Sequence, residues 1–266
     1  MDELRKYPRT PHLAGSRLQP GDADLLRVPT ASLVGRRIVV EEKLDGANAA
    51  ISFTAGGRLR LQSRGHFLNG GPRERQFQLF KAWAAAHQAS LFAVLGSRYV
   101  LYGEWLYAKH TMFYDALPHY FLAFDVLDTR ANDFLATPIR HALLHGTPVI
   151  SAPLLWSGRL ANPACLLTSL GTSSCKTSSW RNRLSQSCER LGQDLAAVLR
   201  ETDASDLMEG LYIKVEEDDR VLGRCKFVRE SFSATVGQSG SHWLERPILP
   251  NALRDGVDLF AAVTAP

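Results

Sequence analysis

The feature that most restricts how this chain can fold is a pair of alternating segments, Ala49 to Thr54 and Arg58 to Ser63, with Gly56-Gly57 between them. Alternation of small or apolar with polar side chains is the period of a strand with two unlike faces, and a glycine pair supplies the positive φ of a tight connection. The two segments are expected to pair as a hairpin. Further strands are expected from about Arg37-Ile38-Val39-Val40, at Tyr99 to Glu104 and Tyr120 to Val126, and at Leu211 to Glu216 and Gly223 to Val228 around the charged turn Glu217-Asp218-Asp219-Arg220. Strands joined by hairpins, with helices clustered between them, predict an α+β fold of antiparallel sheets flanked by helices rather than a doubly wound parallel sheet.

Two helices are marked by their spacing. Phe77, Phe80, Trp83 and Ala84 recur with helical period between Glu74 and Leu95, which predicts one long amphipathic helix whose aromatics belong to the core. Thr137 as cap, Pro138 in the first turn and Gly146 as stop predict a second helix. From Ser151 to Asp206 the chain is rich in Ser, Leu and Arg, with weak helical periodicity from about Asn182 to Arg200, and is read as helices and surface loops.

Composition excludes several classes. With 266 residues, 45% hydrophobic and 22% charged, the chain can bury a sizeable core, so neither a disordered tail protein nor a disulfide-stapled miniprotein fits. The net charge of +4 permits a polyanionic partner without demanding one. No apolar run approaches the roughly 20 residues of a membrane span, and Met1 to Thr10 lack a signal core, so a soluble, cytoplasmic protein is expected. Cys165, Cys175, Cys188 and Cys225 form no C-x-x-C pair and are read as reduced thiols rather than a zinc site. Neither a P-loop nor a dinucleotide fingerprint is present, so any nucleotide is held another way.

The segment richest in chemistry is Glu41-Glu42-Lys43-Leu44-Asp45-Gly46-Ala47-Asn48, where a lysine leaves a strand and meets Asp, Gly and Asn. A lysine amine is a nucleophile only when deprotonated, and nearby cations favour that form. Taken alone, the segment also reads as a solvated turn.

Four later segments add weight in a fixed order: Tyr102-Gly103-Glu104-Trp105 followed by Phe121 to Asp125, then Glu209-Gly210-Leu211-Tyr212-Ile213-Lys214, and Arg224-Cys225-Lys226. With Lys43-Leu44-Asp45-Gly46-Ala47-Asn48 matching K-x-D-G-x-N, the set resembles the ATP-dependent RNA ligases, a branch of the covalent nucleotidyltransferases that also holds DNA ligases and mRNA capping enzymes. The resemblance runs from Lys43 to Lys226. It implies an ATP-grasp-like nucleotidyltransferase fold, with residues 1–36 as an irregular segment packed on the domain, 37–230 as the adenylyltransferase domain and 231–266 as a tail.

It also implies roles. Lys43 would attack the α-phosphate of ATP and hold AMP as a phosphoramidate. Lys214 and Lys226 would sit on that phosphate and lower the Lys43 pKa. Glu209 would bind Mg²⁺ or Mn²⁺. Glu104 would accept from the ribose hydroxyls and Phe124 would stack on adenine, although Phe124 also reads as core. Arg64 would contact the nucleotide or the RNA end, Asp45 and Asn48 would orient the lysine loop, and Glu42 belongs to the same nucleotide-binding set. The Lys109-His110-Thr111 stretch is left out of the catalytic set.

Two departures stand out. Arg224 occupies a position where many RNA ligases carry lysine, so the phosphate role falls more to Lys226. The 40 residues after Lys226 are too few for an ordinary OB-fold. The expected activity is joining of 5′-phosphate and 3′-hydroxyl RNA ends in RNA repair, with an RNA end-healing protein as a candidate partner and Trp243 and Arg246 of the tail as candidate RNA contacts. The alternatives are an ATP-dependent DNA ligase, against which Asn48 and the missing OB-fold speak, and a non-catalytic RNA-binding module, against which the full lysine and glutamate set speaks. The short segment before Lys43 speaks against an NAD-dependent ligase.

Overall fold

The computed structural model describes residues 4–18, 21–22, 24–238 and 246–261. The strands are β1 (His12–Leu13), β2 (Arg27–Val28), β3 (Arg37–Lys43), β4 (Ala47–Phe53), β5 (Leu59–Ser63), β6 (Tyr99–Trp105), β7 (Phe121–Asp128), β8 (Asp133–Phe134), β9 (Ile150–Ser151), β10 (Leu154–Arg159), β11 (Gly210–Glu217) and β12 (Arg220–Val228). They build two sheets. The first runs β10-β3-β11-β12-β1-β2 and the second β5-β4-β6-β7-β8, with β9 beside β7. Pairing is antiparallel except at the short contacts of β1 with β12 and β2 and of β9 with β7. The expected α+β architecture of antiparallel sheets flanked by helices is the one found.

The β4–β5 hairpin forms as its alternation predicts, with Ala49 opposite Ser63 and Phe53 opposite Leu59. Of the two glycines only Gly57 takes a positive φ, at 78°. The alternation of β4 divides its side chains cleanly. Ala47, Ala49, Ile51 and Phe53 join the core beneath α1 (Gln78–Ala86) and α2 (Gln88–Leu95), together with Phe80, Trp83, Leu91 and Leu95. Ala50 faces the other way, into the space between the sheets, with Tyr102 and Leu127. The outer face of the first sheet buries Ile38, Val40, Leu211, Ile213 and Cys225.

Three local expectations are corrected. The helix read as continuous from Glu74 to Leu95 is a 3-10 turn, Pro72–Phe77, and two helices that break at His87. The His87 ring leans on Trp83, and its Nε2 lies 3.1 Å from the Leu259 carbonyl, so a tertiary contact fixes the break. Thr137 does not cap α3 (Thr137–Leu144). Ala136 is the cap residue, and both the N–H and the hydroxyl of Thr137 donate to Glu216 Oε1, so a carboxylate from β11 serves the helix N-terminus. Pro138 lies in the first turn as expected, and Gly146 follows the helix with φ 72°.

The third correction is β10, read as part of a helix and loop region. It is an edge strand on β3, with Trp156 opposite Val40 and Arg159 opposite Arg37. Edge exposure leaves it without the two-sided apolar pattern that marks an interior strand. The helical periodicity read from about 182 to 200 resolves into α4 (Trp180–Leu191) and α5 (Leu195–Arg200), separated at Gly192 with φ 63°.

Candidate active site

The site lies between the two sheets and is built by strand register. Lys43, at the end of β3, is opposite Gly210 at the start of β11. On the same face, Glu41 is opposite Tyr212, which is opposite Lys226 of β12, and Val39 is opposite Lys214, which is opposite Arg224. From the second sheet, Asn48 on β4 is opposite Glu104 on β6.

The glycines of the two motifs are steric necessities. A Cβ on Gly46 would stand 2.7 Å from the Trp105 carbonyl and 3.0 Å from Glu104 Cγ, and one on Gly210 would stand 1.9 Å from the Phe227 carbonyl oxygen. Only a residue without a side chain lets these backbones close around the lysine.

Lys43 Nζ forms an ion pair with Glu209 at 2.8 Å, and the lysine side chain is 24% exposed against 3% for the glutamate. Burial lowers the affinity of the amine for its proton, but Glu209, Glu104 and Asp45 override it and the lysine pKa is raised. The carboxylates show the converse effect. Burial pushes Glu209 up to about 7 against the opposing charge of Lys43, and Asp45 adds to the push. Burial likewise pushes Glu104 up to about 8, opposed by Lys43 and assisted by Glu209 and Asp45. The expectation that cations surround and depress Lys43 is therefore not met in this state, in which its nearest charges are acidic.

Asp45 orients the loop that carries the lysine. Its Oδ2 accepts from the backbone N–H groups of Thr111 and Met112, both at 2.7 Å, and its own N–H donates to the Tyr114 hydroxyl at 2.9 Å. Among the described residues the buried Asn48 Oδ1 has no hydrogen-bond partner, an acceptor left for something else to satisfy. Arg64 is exposed on the rim, near enough to Glu104 to favour its ionised form. Lys226 Nζ donates to Asp22 Oδ2 at 2.7 Å. Burial, opposed by Asp22 and reinforced by Lys43, sets Lys226 below the ordinary lysine value.

Two predicted residues stand elsewhere. Lys214 lies four residues along β11 from the rung of Lys43, about 13 Å at strand rise. It is fully buried, within 2.9 Å of Glu41 Oε2 and 3.0 Å of Asp125 Oδ1, and donates to the Phe124 carbonyl. That carbonyl belongs to a bulge in β7, where Tyr102 is opposite Asp125 and Gly103 opposite Ala123, leaving Phe124 as the extra residue. Lys214 thus ties the two sheets together rather than meeting Lys43. Glu42 points to the outer face, where its carboxylate accepts from the hydroxyls of Ser173 and Ser174 and from the Ser174 N–H. It holds a loop and does not face the cleft.

Phe124 borders the cleft, but its ring is already contacted by Tyr7 at 5.1 Å and Tyr212 at 5.8 Å. Arg224 lies deeper, 3.8 Å over the Phe134 ring and 3.9 Å from Asp125 Oδ2. Of the tail, Trp243 is outside the described residues, and Arg246 is engaged with Glu201 and the His110 carbonyl.

Sequence reasoning missed Asp22 and Tyr7. Both come from the Pro- and Arg-rich N-terminal stretch, where no periodicity or motif singles out either residue.

As donors for a divalent cation the geometry offers Glu209 and, beside it, Glu104. Among the described residues no cluster of three His, Cys, Asp or Glu side chains forms a cage. One or two carboxylates are the usual protein donors to Mg²⁺, whose remaining positions phosphate and water oxygens fill.

The model of the RNA ligase family matches residues 36–228. No curated protein matches. Among solved structures, an apo mutant of Naegleria gruberi RNA ligase aligns with a TM-score of 0.50 and 17% identity over 77% of this chain and 52% of that one. A mutant of the same ligase with ATP and Mn aligns at 0.49 with 16% identity, over 77% and 53%. The same ligase with PPi aligns at 0.48 with 16% identity, over 86% and 57%. The chain spans about half the length of these solved proteins. Among the described residues no helix is long and apolar enough to cross a membrane.

Proposed function

Because this chain belongs to the RNA ligase family, we propose that it joins 5′-phosphate and 3′-hydroxyl RNA ends with ATP through a lysyl-AMP intermediate on Lys43. The observation that carries the reading is the half-buried amine of Lys43, held at 2.8 Å by Glu209, with Lys226 close enough to feel its charge.

The chemistry assigns the residues their tasks. Lys43 Nζ, once deprotonated, attacks the α-phosphorus. The N–P bond forms as the bond to pyrophosphate breaks, and the ammonium proton is lost to Glu209 or water. Lys226 offers charge to the phosphate oxygens as negative charge builds on them. Glu104 accepts from the ribose, and Asn48 Oδ1 is a free acceptor beside it. In the second step the RNA 5′-phosphate attacks the same phosphorus and frees the lysine. In the third, the 3′-hydroxyl attacks the activated 5′-phosphate and AMP leaves. A Mg²⁺ or Mn²⁺ ion, when bound, would supply positive charge to the phosphate oxygens. Glu209 and Glu104 are the groups that would hold it. A role in RNA repair beside an end-healing enzyme, in the cytoplasm, belongs to the same reading.

Incubation with α-labelled ATP and divalent metal tests the first step. Wild type is expected to take covalent label at Lys43 and Lys43→Ala none. An unlabelled wild type, or a labelled Lys43→Ala, overturns the reading. Sealing of nicked duplexes with RNA or DNA at the 3′-hydroxyl side tests the substrate. Strong sealing of all-DNA nicks with weak sealing of RNA overturns the RNA assignment.

A further inference from the structure

The N-terminal stretch reaches the cleft through a chain of hydrogen bonds that ends on Lys226. β1 lies parallel to β12 with His12 opposite Lys226, and the Lys226 N–H donates to the Pro11 carbonyl at 2.9 Å. The Val228 N–H donates to Ser16 Oγ at 2.9 Å. With that lone pair engaged, the serine hydroxyl is free to donate to His12 Nδ1, 2.7 Å away. An acceptor role for Nδ1 leaves the proton of neutral His12 on Nε2, which lies 2.8 Å from Asp22 Oδ2. The same carboxylate oxygen receives Lys226 Nζ, while Oδ1 faces Arg9 at 3.4 Å.

His12 is fully buried, so this arrangement is built into the sheet rather than hung on its surface. Burial pulls the histidine pKa down, which keeps it neutral. Burial alone would raise Asp22, but its hydrogen bonds from His12 and Lys226 hold it at about 2.

We propose that Asp22, oriented by His12 and Ser16, is a positioning residue for Lys226 in transfer of the nucleotide to Lys43. A lysine ammonium has three N–H donors on a flexible stem. Asp22 takes one of them and so fixes the direction of the other two, which remain for phosphate oxygens. It also keeps Lys226 charged beside another ammonium, Lys43. Asp22 touches no reacting atom and acts only through Lys226. The inference rests on the lysyl-AMP reading.

Single-turnover labelling of the full chain with α-labelled ATP, read across ATP concentration, tests it on wild type, Asp22→Ala, Asp22→Asn, Lys226→Ala and the Asp22→Ala/Lys226→Ala double variant. Loss of one charge-assisted hydrogen bond predicts a maximal rate about tenfold lower for Asp22→Ala, with the half-saturating ATP concentration little changed. Asp22→Asn, which keeps the shape and an acceptor, falls between the two. The double variant is no slower than Lys226→Ala, because Asp22 has then nothing to position. Melting curves identify any variant that misfolds, and Asp22→Asn then carries the comparison. Wild-type rates in both Asp22 variants, or a loss that multiplies with that of Lys226→Ala, overturn the proposal and leave the ligase reading standing. An unlabelled wild type overturns both.

Discussion

Lys43 Nζ and the Glu209 carboxylate stand 2.8 Å apart, joined across the first sheet by the end of β3 and the residue that precedes β11. The amine that the proposed reaction would use as a nucleophile is thus half of an ion pair, and the same glutamate is the one proposed to hold the metal. That carboxylate, the largest of the charges that raise the lysine pKa, holds Lys43 in its charged form.

Glu209→Gln separates those two roles. The amine loses its strongest partner, so Lys43 is expected to react faster than in wild type with an amine-directed reagent near pH 8, read by peptide mass. Adenylylation is expected to fall on the order of 100-fold, because the variant loses an electrostatic contribution to the transition state. A slower chemical modification of Lys43 in the variant contradicts the ion-pair account.

Lys214 and Lys226 are expected to fail in different ways. Lys214→Ala removes a cation from a fully buried cluster with Glu41 and Asp125 and should cost about 3–5 kcal/mol of stability, measured by urea unfolding. Lys226→Ala should cost only about 1 kcal/mol of stability, since its partner Asp22 keeps His12, yet slow lysyl-AMP formation roughly 100-fold. Equal stability losses would contradict the separation of the two lysines along the strands.

The raised carboxyls predict a pH-dependent stability. Burial pushes Glu104 up to about 8 and Glu209 up to about 7, each opposed by Lys43. A carboxyl raised in the folded state contributes most below its unfolded pKa, near 4.5, and loses that contribution as pH climbs through the folded value. Glu104→Gln removes this loss. Its melting temperature minus that of wild type should be near zero at pH 4.5 and grow positive toward pH 8 in metal-free buffer. A difference that is flat with pH contradicts the raised Glu104.

Gly210→Ala tests the close approach. A methyl carbon 1.9 Å from the Phe227 carbonyl oxygen forces β11 and β12 apart, and a loss of about 2–3 kcal/mol is expected from the urea midpoint. Gly65→Ala, where nothing lies within 4 Å of the added carbon, should stay within about 0.5 kcal/mol.

The order of strands, the β4–β5 hairpin and the clustering of helices between strands were legible in the sequence, because hydrophobic period and glycine placement are local properties that each segment carries by itself. So were Lys43, Asp45, Glu104, Glu209 and Lys226 as a set, because their motifs lie at strand ends or along strands whose register then aligns them. What the sequence alone did not decide was which lysine meets which charge. Lys214 has the motif spacing of a phosphate ligand, but β11 aligns it with Val39 rather than Lys43, and a bulge at Phe124 offers it a carbonyl. Glu42 differs from Lys43 by one residue, and that single step turns it to the opposite face of the sheet and onto Ser173 and Ser174. Asp22 carries no local signal, since it reaches Lys226 only through the pairing of β1 with β12. Residue type and period were set along the chain. Charge pairing was set by register between strands far apart in it, where a few ångströms decide whether a lysine meets Glu209, Asp22 or the buried pair Glu41 and Asp125.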